Sequence, residues 1–104
     1  MDRKQLAIDF AKSLNYPEIE KIILYGSVAR GKDHGKSDIL DILIITSKEE
    51  DELKIEDEIY TKVFDILMTL GEKISITMRS ISHYNNHLNF SFYKNVERDR
   101  IIIS

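Results

Sequence analysis

The sequence predicts an α/β (α+β) domain, a small mixed β-sheet with helices packed on it. Three observations predict it. Residues 21–25 and 39–46 are short, apolar and rich in isoleucine, and a Gly-Ser turn and a polar loop separate them. Residues 74–79 alternate apolar and polar positions, as a strand with one wet face does. Segments before and between these runs repeat apolar residues every three or four positions, the spacing of amphipathic helices. With 104 residues the chain fits one domain over 1–104.

Each element has its own local reason. Leu6, Phe10 and Leu14, flanked by Ala7, Ile8 and Ala11, predict a first helix that Asp2 caps. Pro17 ends it, because the residue before proline is pushed out of the helical region. Residues 21–25 form a buried strand that Gly26-Ser27 breaks, and Val28-Ala29-Arg30 gives one helical turn. Gly35 and its polar neighbours make a loop. Residues 39–46 are apolar on both faces, which places this strand inside the sheet. Ser47 is the expected cap of the next and longest helix, with Glu49, Glu50, Asp51 and Glu52 in its first turn. Ile55, Ile59, Val63, Ile66, Leu67 and Leu70 mark that helix's apolar side, and Gly71 suits its C-terminal cap. Residues 82–93 read as a helix or irregular segment, and residues 101–103 as a short last strand.

Composition excludes more than it asserts. The chain has no cysteine, so neither a disulfide nor Cys-ligated zinc enters. A net charge of −3 disfavours non-specific nucleic-acid binding, which needs a positive field. The first residues lack a signal-peptide core, and no apolar run is long enough to span a bilayer. A cytoplasmic location without membrane attachment is the expectation, and a homo-oligomer is compatible with it.

Two features carry chemistry. At Gly26-Ser27 glycine lets backbone approach a phosphate, while the serine hydroxyl and exposed amides can donate to its oxygens. Arg30 can pair with a phosphate or equally with a surface carboxylate. Asp38 and Asp41 open the following strand, and carboxylates beside phosphate oxygens are what magnesium takes. Their spacing is Asp-x-x-Asp, so on a regular strand they point to opposite faces. A bulge at Leu40 would bring them together, or Asp38 would reach in from the loop. Otherwise Asp38 caps a turn and Asp41 alone faces a polar pocket. An aspartate inside so apolar a run implies a partner. His83 and His87 would share a helix face but lack a third soft ligand, so packing is the expectation. Packing is also expected for Tyr84, Phe90, Phe92 and Tyr93.

Gly26-Ser27-Val28-Ala29-Arg30-Gly31, then Ser37-Asp38-Ile39 and Asp41-Ile42-Leu43-Ile44-Ile45, resembles the signature of the minimal nucleotidyltransferases of the DNA polymerase β-like superfamily. That signature is a Gly-Ser turn, a short spacer and Asp-x-Asp on a strand. The element order, Phe92-Tyr93 and the final strand are also similar to that fold. The resemblance implies that Gly26, Ser27 and Arg30 bind the triphosphate of ATP. It implies that Asp38 and Asp41 are catalytic and hold Mg2+. It further implies transfer of AMP to a hydroxyl, with a tyrosine of a separate HEPN-domain toxin as acceptor, in an antitoxin role. Two departures stand beside it. Leu40 is inserted between the aspartates, and the strand at 74–78 offers only Ser75 and Thr77 where many relatives carry a third carboxylate. Asp65 and Glu72, the nearest acids in sequence, are expected as solvated surface charges. A module that binds its partner without transfer is the rival expectation.

Overall fold

A computed structural model describes residues 2–31 and 39–103. Its elements are α1 (Arg3–Ser13), β1 (Ile19–Tyr25), α2 (Gly26–Ala29), β2 (Leu40–Thr46), α3 (Asp51–Leu70), β3 (Ile74–Ser80), α4 (Ile81–Asn86), α5 (Ser91–Asp99) and β4 (Ile101–Ile102). The strands form one mixed sheet in the order β3-β2-β1-β4. β2 runs antiparallel to β1 and parallel to β3, with α3 as the crossover that a parallel pair requires. β4 closes the other edge, antiparallel to β1.

The central position of β2 follows from its composition. Leu40, Ile42, Leu43, Ile44 and Ile45 are all fully buried, so both faces of the strand are covered. Leu40, Ile42 and Ile44 join Ile22 and Leu24 in a core with Leu6 and Phe10 of α1 and Ile55 and Ile59 of α3. Leu43 and Ile45 join Ile23 in a second core with Tyr84 of α4 and Tyr93 and Val96 of α5. Helices therefore cover both faces of the sheet. The period-2 alternation of the strands sorts their side chains between the two cores.

The caps follow local chemistry. The Asp2 carboxylate accepts from the Lys4 and Gln5 amides at 3.0 and 3.3 Å, as expected for α1. Gly71 ends α3 at φ 69°, a conformation suited to glycine, and its amide donates to the Leu67 carbonyl. Ser80 caps α4 by accepting from the His83 amide.

Two expectations are corrected. Ser47 does not cap α3: its hydroxyl donates to Glu20 at 2.7 Å, and the helix starts at Asp51. The Asp51 carboxylate instead accepts from the Lys48 amide at 3.1 Å, tying the chain before the helix to its first turn. Glu72 is not a solvated charge. It is 2% exposed and accepts from Arg3 Nε at 2.9 Å, so the pair bolts the start of α1 to the entry of β3. Asp65 is exposed on α3, as expected.

Removing one partner of a buried ion pair takes a compensating charge from the other. Glu72→Ala is expected to lower unfolding free energy by about 3 kcal/mol, and Asp65→Ala to change it by less than about 0.5 kcal/mol. Urea denaturation of the two variants checks the contrast.

Candidate active site

β1 ends at Tyr25, and the chain turns at once into α2. Gly26 makes that turn with φ +82°, a conformation that L side chains rarely adopt. The turn has a second reason to be glycine. A Cβ at position 26 would stand 2.5 Å from Asp41 Oδ2. The Gly-Ser turn and the Asp41 carboxylate are therefore in direct apposition, although 15 positions separate them in the sequence. β1–β2 pairing produces this, because Tyr25 and Asp41 are register partners at the end of the ladder. On its other side Asp41 is paired with Ser75 of β3.

The register runs without interruption through Leu40, Asp41 and Ile42 against β3. The Leu40 amide donates to the Lys73 carbonyl at 2.9 Å, and its side chain is fully buried in the core on the α1/α3 side. No bulge forms at Leu40 among the described residues. Ordinary alternation puts Asp41 on the opposite face, the face of Leu43 and Ile45. Asp38, predicted as the second carboxylate, lies outside the described residues.

The walls around Asp41 are hydroxyl and aromatic groups. Tyr25, its register partner on β1, and Thr77 of β3 flank it. Burial is the main cause that pushes the Tyr25 phenol above its usual range, and the Asp41 charge adds to it; Thr77 and the more distant Arg79 oppose. Phe92 of α5 meets the Tyr25 ring edge-on, centroids 5.6 Å apart, and covers this side of the sheet. The β3 side carries Ser75 and Thr77 beside Asp41, as the sequence indicates, and no carboxylate lies on β3. Among the described residues no three His, Cys, Asp or Glu side chains are gathered as a metal cluster. The hollow between Glu18, Ser47 and Lys54 lies past the far end of β2.

Arg30 follows the carboxylate alternative. Its Nη1 donates to Asp99 Oδ2 at 2.7 Å, joining the end of α2 to the end of α5. Arg98 Nε holds the other Asp99 oxygen at 2.9 Å. The Arg98 hydrogen bond, with help from the Arg30 charge, holds the Asp99 carboxyl below its usual range despite its burial. Sequence reasoning missed Asp99 because 69 positions separate it from Arg30. His83 and His87 pack as expected: the rings stack at 4.2 Å, and His83 Nδ1 is hydrogen-bonded to the Tyr93 hydroxyl. Tyr84 and Tyr93 are core, whereas Phe90 is half exposed.

The fold thus sets a glycine turn against a carboxylate at the mouth of a mixed sheet. Comparison with known proteins identifies the family. Residues 8–104 match the family described as Polymerase beta, Nucleotidyltransferase, and the chain belongs to it. It is a nucleotidyltransferase. Its sequence is 35% identical over 96 residues to a Methanocaldococcus jannaschii protein named "Putative protein adenylyltransferase", covering 91% of this chain and 89% of that one. The fold is similar to one in a crystal structure of a toxin-antitoxin with AMP-PNP, with a TM-score of 0.59 and 14% identity. That match covers 97% of this chain and 72% of the other.

The Asp99 linkage has a defined sign. Its folded pKa is depressed, so the stabilisation exists above the unfolded value near ~3.9 and is lost as pH falls through the folded one. Asp99→Asn is expected to cost on the order of 1 kcal/mol at pH 7, since Arg30 is partly solvated. The gap to wild type should narrow as pH falls below the unfolded value and close once the folded carboxyl is protonated as well. Thermal melts of both proteins between pH 7 and pH 2.5 measure it.

Proposed function

We propose that this chain transfers AMP from ATP to a hydroxyl group, most simply a tyrosine of a separate HEPN-type toxin that it thereby silences. The apposition of Gly26 and Asp41 carries the reading. It joins a turn open to phosphate oxygens and a carboxylate suited to a hard cation. The Ser27 hydroxyl and the backbone of this turn are groups that donate to phosphate oxygens. Gly26 and Ser27 bind the triphosphate in this account. Arg30 acts near it through the ion pair with Asp99, which fixes the end of α2.

Magnesium usually takes only one or two protein carboxylates together with phosphate oxygens. Asp41 fits that requirement, and Asp38 is the second candidate. Bound there, the ion would supply charge neutralisation for the triphosphate. The chain's residues position the α-phosphorus for the acceptor oxygen. The new bond joins that oxygen to the α-phosphorus, the bond to the bridging oxygen breaks, and pyrophosphate leaves. The acceptor proton passes to solvent, since no carboxylate of β3 stands ready to take it. Among the described residues no helix is long and apolar enough to cross a membrane.

The rival reading is a module that binds its partner without transfer. It draws on the regular register at Leu40 and the lack of a carboxylate on β3. Incubation with α-phosphate-labelled ATP, magnesium and the product of the neighbouring gene separates the two. Transfer predicts label on that protein, reduced at least about 100-fold by Asp41→Asn. A complex that forms equally well without ATP, and never acquires label, would leave only the binding reading.

A further inference from the structure

The candidate site uses one face of the sheet, and α3 lies on the other. Ile55 and Ile59 turn inward to Leu40, Ile42 and Ile44, while Asp41 points the opposite way. Four large apolar residues remain on the outer side of α3. Leu53 is 75% exposed, Tyr60 47%, Phe64 57% and Met68 63%. Positions 60, 64 and 68 are four apart and stack into one stripe, and position 53 continues it two turns earlier. The core does not explain this stripe. Contiguous apolar patches beyond a few hundred Å2 are rare on monomers and mark binding surfaces.

Charge selects the occupant. α3 carries Asp51, Glu52, Glu56, Asp57, Glu58 and Asp65 against Lys54 and Lys62, a net −4, while the whole chain is −3. All of the chain's net negative charge thus sits on the helix that bears the stripe. The acids gather at residues 51–58, and the second half of α3 carries only Lys62 and Asp65, so two copies meeting stripe to stripe offer these acids no basic counterpart, whereas a partner's lysine and arginine rim gains along that first half.

We propose that the Leu53–Tyr60–Phe64–Met68 stripe docks a different protein, one presenting an apolar groove rimmed by lysine and arginine. Naming that protein as the one whose hydroxyl accepts AMP rests on the reading under Proposed function. The stripe and Asp41 lie on opposite faces of a molecule whose shortest Cα extent is 17 Å. Docking and nucleotide binding are therefore separable.

The test uses the full chain and the separately purified product of the neighbouring gene, titrated by calorimetry at 50 and 500 mM salt. Phe64→Asp, with an unchanged circular dichroism spectrum, is expected to raise Kd at least 30-fold and to leave ATP binding as in wild type. Met68→Ser gives a milder loss in the same direction. High salt weakens the wild-type complex, and Asp41→Asn leaves it intact. Wild-type affinity in both stripe variants, or no wild-type binding at all, overturns the proposal. So does a wild-type chain that sediments as a dimer which Phe64→Asp dissociates, since the occupant is then a second copy. Label transfer distinguishes the two failures: transfer unaffected by Phe64→Asp sinks the docking surface alone, and a stripe-dependent complex without transfer sinks the reaction alone.

Discussion

The rest of the site depends on the close approach between the backbone at Gly26 and the carboxylate of Asp41. It imposes two demands on one residue, a positive φ and the absence of a Cβ. It also imposes one demand on the sheet. β1 and β2 must pair so that Tyr25 faces Asp41, because a shift of one residue would send the carboxylate to the other side. The fully buried residues of β2 enforce that register, since a slip would exchange the contents of both cores. Apolar packing thus fixes a polar geometry.

A second layer holds the turn from outside. α2 is only a single turn and has little stability of its own. The Arg30–Asp99 pair anchors its end to α5, and Phe92 on that same helix packs against Tyr25 at its start. The C-terminal helix therefore clamps the Gly-Ser turn at both ends. Arg3 and Glu72 play a comparable part on the opposite side, where the start of α1 meets the chain entering β3.

What was legible in the sequence was what local pattern determines. The apolar run after residue 39 announced an internal strand, Asp2 and Gly71 announced helix ends, and Gly26-Ser27 and Asp41 stood out as the turn and the carboxylate that the sheet brings together. What was not legible depended on contacts between distant positions. Arg3 and Glu72, like Arg30 and Asp99, are 69 residues apart, so no local rule could pair them. Ser47 had the chemistry of a cap, but Glu20 on β1 claimed its hydroxyl. A bulge at Leu40 was an option only while its backbone was unassigned; the bond to Lys73 and complete burial hold it in a regular strand. The helix pattern of α3 was clear, yet its outer stripe escaped notice because periodicity identifies an apolar side without showing what covers it.

The central claim is that Gly26 serves the nucleotide through Asp41. A double-mutant cycle on magnesium-ATP affinity tests it most directly. Adding a methyl group at position 26 displaces the carboxylate, so Gly26→Ala and Asp41→Ala remove the same arrangement. Each is expected to weaken binding at least 10-fold, about 1.4 kcal/mol, with the double variant no weaker than the worse single one. Losses that simply add, or a Gly26→Ala protein that binds magnesium-ATP as wild type does, would contradict the account.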